Sequence, residues 1–148
     1  VGSLDVSPGA VNVVPGEVRL SLDVRHAEDA VRQKALPDLL VCSANAAEKR
    51  GVRCRMELGE NHAAVPMNPR LTDRLVAAAR AVGHEPFRMV SGAGHDAQLL
   101  APLCPTTMIS VPSRAGISHS PDEYTSPEQL AEGAAVLVSV LYDLAYKE

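Results

Sequence analysis

Apolar and polar positions along the chain change period several times, and each change marks an element. Near the N-terminus, Gly2–Pro8 alternates weakly and runs into Pro8-Gly9, which predicts a short strand and a turn. Val18, Leu20, Leu22 and Val24 then alternate with Arg19, Ser21, Asp23 and Arg25, the period of a half-buried strand. From about residue 27 to 50 the chain is rich in Ala, Leu, Glu, Lys and Arg, which predicts a helix. Pro37 should kink or split it and Gly51 should close it. Alternation returns over Val52–Leu58, a third strand.

The pattern breaks at GENHAAVPMNP, and a domain junction is expected there. Asn68 is placed to cap a helix that opens on Pro69, carries Leu71, Leu75, Ala78, Ala79 and Val82 as its apolar stripe, and stops at Gly83. Phe87–Val90 and Thr106–Pro112 read as buried strands, with a glycine-rich turn and a short helix between them. The last helix begins with the capping pattern Ser126-Pro127-Glu128-Gln129, and Leu130, Ala134, Leu137, Leu141 and Leu144 are its expected core stripe. Residues 1–64 therefore read as α+β, an antiparallel sheet with a helix on one face. Residues 65–148 read as α/β.

Composition narrows the function classes. The 148 residues carry a formal charge of -4, and aromatic residues are 3%, so neither a basic footprint nor a stacking platform for nucleic acid is present. No apolar run approaches the roughly 20 residues that span a bilayer. Cys42, Cys54 and Cys104 form no CxxC pair and read as buried or half-buried thiols of a reducing, cytoplasmic compartment.

Three places could carry chemistry. His119, in SRAGISHSPDEYT, follows the expected strand Thr106–Pro112, where open α/β sheets bind ligands. The alternative is a turn histidine bonded to Asp122 or Glu123. SGAGHDA, residues 91–97, also follows an expected strand. Its glycines would admit a ligand to the backbone, the helix behind Asp96 would offer its positive end to an anion, and His95 could donate a hydrogen bond. A tight turn needing glycine is the competing explanation. Arg25, with Asn12 upstream, suits capture of a carboxylate, unless Arg25 simply pairs with Asp5 or Asp23. His26, His62 and His84 read as structural or solvated.

NVVPGEVRLSLDVRH, SGAGHDA and VPSRAGISHSPDEYT, in this order, resemble three signatures of one family. It comprises the allantoate amidohydrolases, N-carbamoyl-L-amino-acid hydrolases and β-ureidopropionases, within the dinuclear-zinc aminoacylase/carboxypeptidase superfamily. The resemblance implies a metal-dependent amidohydrolase that cleaves a ureido or carbamoyl C–N bond. It implies two divalent ions, zinc or manganese, in the complete enzyme, and a homodimer built through a lid domain. Residues 1–64 would be the later part of that lid, and residues 65–148 the last part of the catalytic domain.

By the same resemblance His119 is a metal ligand, and Asn12, Arg25, Gly94 and His95 bind substrate. The general-base glutamate and the remaining ligands have no counterpart motif here. The chain therefore reads as a C-terminal fragment, inactive alone, with little stably bound metal and a tendency to self-associate. A non-catalytic dimerisation or ligand-binding module, and a peptidase or aminoacylase of the same superfamily, are the alternative functions.

Overall fold

The computed structural model describes residues 1–147, and the chain divides into two compact units, Val1–Ala64 and Val65–Glu148. Each is taken by itself.

In the first unit, β1 (Leu4–Ser7) and β2 (Glu17–Leu20) form an antiparallel hairpin, with Leu4 opposite Leu20 and Val6 opposite Val18. Gly16 N–H donates to the Ser7 carbonyl at 2.9 Å and closes the strand end of the connecting loop. The pairing continues as far as Ser21, whose N–H donates to Ser3 O. β2 ends at Leu20, short of the expected strand through Val24, and Arg25 lies beyond it.

Helix α1 (Asp29–Lys49) runs through Pro37 undivided, so of the expected kink or split the split does not occur. An interior proline removes one backbone bond at a cost of roughly 3 kcal/mol. The Ala- and Leu-rich turns that follow it carry the helix on. Gly51 ends it at φ 64°. Asp29 ties the first turn of α1 to the end of the unit. Its carboxylate accepts the Ala64 N–H at 3.0 Å and meets Arg32 at 3.2 Å, while Arg32 reaches Asn61 Oδ1 at 2.6 Å.

The second unit is built on two helices, α2 (Pro69–Ala81) and α4 (Pro127–Tyr146), with the single-turn α3 (Ala97–Leu100) between them in sequence. Asn68 caps α2 by accepting the Leu71 N–H at 3.1 Å. Ser126 and Gln129 close the full capping box of α4. Leu75, Ala78 and Ala79 of α2 pack against Val136 and Val140 of α4, with Leu144 at the margin. The expected stripe on α4 is displaced: Leu130, Leu137 and Leu141 are exposed, and Val136, 3% exposed, takes the inner position. A helix apolar on most of its circumference offers more than one stripe, and packing chooses among them. Gly133 marks the chosen face, since a Cβ there would collide with the Val111 side chain.

Three expected strands do not form. Val52–Leu58, Phe87–Val90 and Thr106–Pro112 carry no strand among the described residues, so the α/β half of the expected fold class is not seen as a sheet. Phe87, expected to be buried, is 86% exposed. Alternation and β-branching suit a strand, but a strand also needs a neighbouring backbone to accept its hydrogen bonds. Thr106–Pro112 instead follows the helices: its Thr106 carbonyl accepts the Asn68 N–H at 2.8 Å, and Thr107 shares a 2.9 Å hydroxyl bond with Thr72. The thiols also depart from expectation, since Cys42, Cys54 and Cys104 are all exposed and unpaired. A free thiol packs as a small hydrophobe, but no core covers these three positions.

Candidate functional site

His119 sits on a loop that closes on itself. At its base, Arg114 N–H donates to the Tyr124 carbonyl at 2.8 Å, and Thr125 Oγ1 donates to the Pro112 carbonyl at 2.9 Å. The Arg114 guanidinium lies 5.2 Å from the Tyr124 ring centroid, a second closure between the same two residues. Inside the loop Ser113 Oγ donates to the Ile117 carbonyl at 2.5 Å. Such compact loops hold their shape through their own side chains.

Within it the backbone turns left-handed three times, at Ala115 (φ 55°), Gly116 (φ 68°) and His119 (φ 55°). Glycine takes that conformation freely, but alanine and histidine adopt it only where their surroundings impose it. At His119 the constraint is Glu123, whose Oε2 accepts the His119 N–H at 2.8 Å. The expected competitor for a functional role was an imidazole bonded to Asp122 or Glu123. Glu123 takes the backbone N–H instead, and the histidine is exposed. The residue pattern offered Glu123 and Asp122 as partners of the imidazole, not of the backbone N–H. The signal for Glu123 was its spacing, four residues after a histidine in a turn.

His95 is placed by the turn before α3. The Ala97 N–H donates to His95 Nδ1 at 3.1 Å. That bond requires a lone pair on Nδ1, so the neutral ring carries its proton on Nε2 and presents an N–H donor there. The same bond overturns one expectation for this loop. The N–H groups of Ala97, Gln98, Leu99 and Leu100 are all spent on acceptors within the turn, so α3 offers no free positive end to an anion. Glycine is not demanded by the backbone either. Neither Gly92 nor Gly94 has a positive φ, and a Cβ on Gly94 would approach only Gln98 Oε1, at 3.7 Å.

Asn12 and Arg25 belong to opposite ends of the hairpin. Asn12 lies in the turn between β1 and β2, and Arg25 follows the far end of β2. Arg25 Nε donates to both Asp23 carboxylate oxygens at 2.9 Å and Nη2 donates to one at 2.5 Å, which is the ion pair considered from the sequence. The hydrogen bonds from Arg25 hold the Asp23 carboxyl below the usual range. Asp23 covers the Nε/Nη2 edge, so a carboxylate ligand on that edge would displace it.

A catalytic zinc takes three protein ligands and an open position. Among the described residues no group of three or more His, Cys, Asp or Glu side chains comes together. His119, exposed on a constrained backbone, fits as one donor to a metal; the described residues do not build a metal centre by themselves.

Residues 2–143 match the model of peptidase family M20/M25/M40. The chain is 39% identical over 145 residues to an allantoate amidohydrolase of Bacillus subtilis (strain 168), covering 98% of this chain and 35% of that protein. It is 38% identical over 148 residues to an N-carbamoyl-L-amino acid amidohydrolase of Geobacillus stearothermophilus, covering all of this chain and 36% of that protein. Among solved structures, an amidase of the hydantoinase/carbamoylase family from Burkholderia multivorans superposes with a TM-score of 0.86 at 34% identity. That match covers 95% of this chain and 34% of the other. The chain thus spans about a third of the length of the relatives it matches.

Proposed function

The chain belongs to peptidase family M20/M25/M40, and on that premise we propose that it forms part of an amidohydrolase acting on a ureido or carbamoyl C–N bond in a small carboxylate. The relatives named for allantoate and N-carbamoyl-L-amino acids, at 38–39% identity across nearly the whole chain, support that substrate class. The observation that carries the reading is His119: an exposed imidazole on a left-handed backbone, at the head of a loop pinned at its base. Strain of this kind, imposed rather than relaxed, is found where a side chain must be presented in one place.

In this reading residues 1–64 are lid and residues 65–148 are catalytic domain, in a homodimer of the whole protein. His119 is one metal ligand among several. When bound, the metal ions, zinc or manganese, lower the pKa of a water for attack on the carbonyl. The chain's own residues orient the substrate. Arg25, released from Asp23, takes the substrate carboxylate in a two-point bond. Asn12 offers its amide to a polar group of the substrate. His95 donates its Nε2–H to a substrate oxygen, a role its tautomer allows. Gly94 lets the ligand approach the backbone, which agrees with the turn having no need of glycine for itself. Addition of one water to the carbamoyl group then releases an amine, ammonia and carbon dioxide.

The test is ammonia release by the whole protein from allantoate and from a series of N-carbamoyl-L-amino acids. His119→Ala should abolish turnover, and Arg25→Ala should raise KM for the carboxylate substrate. A metal-replete whole protein inert toward both substrate classes would overturn the reading.

A further inference from the structure

We propose that Glu123 is a positioning residue for His119. The inference rests on the reading of His119 as a metal ligand. It adds the residue that sets where that ligand stands.

The two residues meet through the backbone. Glu123 Oε2 accepts the His119 N–H at 2.8 Å, while the Glu123 N–H donates to the Ser120 carbonyl at 3.0 Å. The turn between them is therefore closed twice. The side-chain bond satisfies an N–H in a conformation where a histidine backbone is not at rest, φ 55°. A carboxylate is suited to this, because an ionised acceptor makes a shorter and stronger bond to N–H than a neutral one. The imidazole itself is left out of the contact, so the brace acts on the ligand's backbone without occupying its nitrogens.

Glu123 also connects the head of the loop to its base. The next residue, Tyr124, carries the carbonyl that accepts from Arg114 and the ring beneath the Arg114 guanidinium. After it, Thr125 closes on Pro112. The position of His119 is thereby referred to the start of α4 through three consecutive residues.

The experiment compares the whole protein with its Glu123→Ala and Glu123→Gln variants by amide hydrogen exchange, residue by residue. Glu123→Ala should accelerate exchange at the His119 amide roughly tenfold while the amides of α4 keep their rates. Glu123→Gln, which retains an oxygen acceptor at the same reach, should restore most of the protection. Unchanged exchange at His119 in Glu123→Ala would overturn the proposal, as would a loss of protection spread equally through α4. A second readout uses the whole protein with zinc alone: zinc per chain should fall in Glu123→Ala and recover in Glu123→Gln. If His119→Ala leaves zinc content unchanged, the ligand reading fails, and this outcome is independent of the exchange result.

Discussion

At the scale of single residues, the second unit holds its strain in one place. Ala115 and His119 both have φ 55°, although only glycine takes that region without cost. Ala115 has no functional reading to explain it, so Ala115→Gly should relieve strain and stabilise the unit by about 1 kcal/mol, less the chain entropy that glycine adds. A urea melt monitored on the α2–α4 pair would show a higher midpoint. His95 gives a second prediction. Because its Nδ1 is held by the Ala97 N–H, the donor is Nε2–H. His95→Ala in the whole protein should lower kcat/KM on the order of a hundredfold, the effect of removing one donor to a developing oxyanion. His95 and His119 were legible in the sequence as candidates, since each is a histidine on a loop with glycine close by. The tautomer, the left-handed backbone and the part played by Glu123 were not, because each depends on where a backbone N–H points.

At the scale of elements, caps and close approaches decide the outcome. The Ser126–Gln129 box was readable from four letters, since capping is local chemistry. Ser126→Ala should cost about 1 kcal/mol in the same melt. Gly133 was invisible, because its reason lies on Val111, far away in sequence. Gly133→Ala would overpack that contact and should cost about 1–3 kcal/mol. In the first unit, Asp29 provides a test by pH. The Ala64 N–H, first, and then Arg32 hold its carboxyl below the ordinary range. A depressed carboxyl pKa contributes stability that is fully present above the unfolded-state value, about 3.9, and is lost as pH falls through the lower folded value. The tie between α1 and Asn61–Ala64 should therefore persist at neutral pH and release in acid. The Ala64 amide chemical shift, followed from pH 6 downwards, should move only below about pH 4, and Asp29→Asn should remove that transition.

At the scale of the whole molecule, apolar surface outruns core. The hairpin face formed by Leu4, Val6, Val18 and Leu20 is exposed, and so are Leu137, Val138 and Leu141 on α4. Faces of this kind mark contact with further protein. We expect the chain alone to self-associate, so light scattering at rising concentration should report particles above 15.6 kDa; a monodisperse monomer would count against that. The sequence by itself determined what is local. Helix positions and caps follow from neighbours within a few residues, and the three family signatures can be read from residue types in order. Tertiary structure decided the rest. It chose which stripe of α4 is buried, because α2 and Val111 press on one side only. It left Val52–Leu58, Phe87–Val90 and Thr106–Pro112 outside any sheet, because a strand exists only when another backbone accepts its hydrogen bonds.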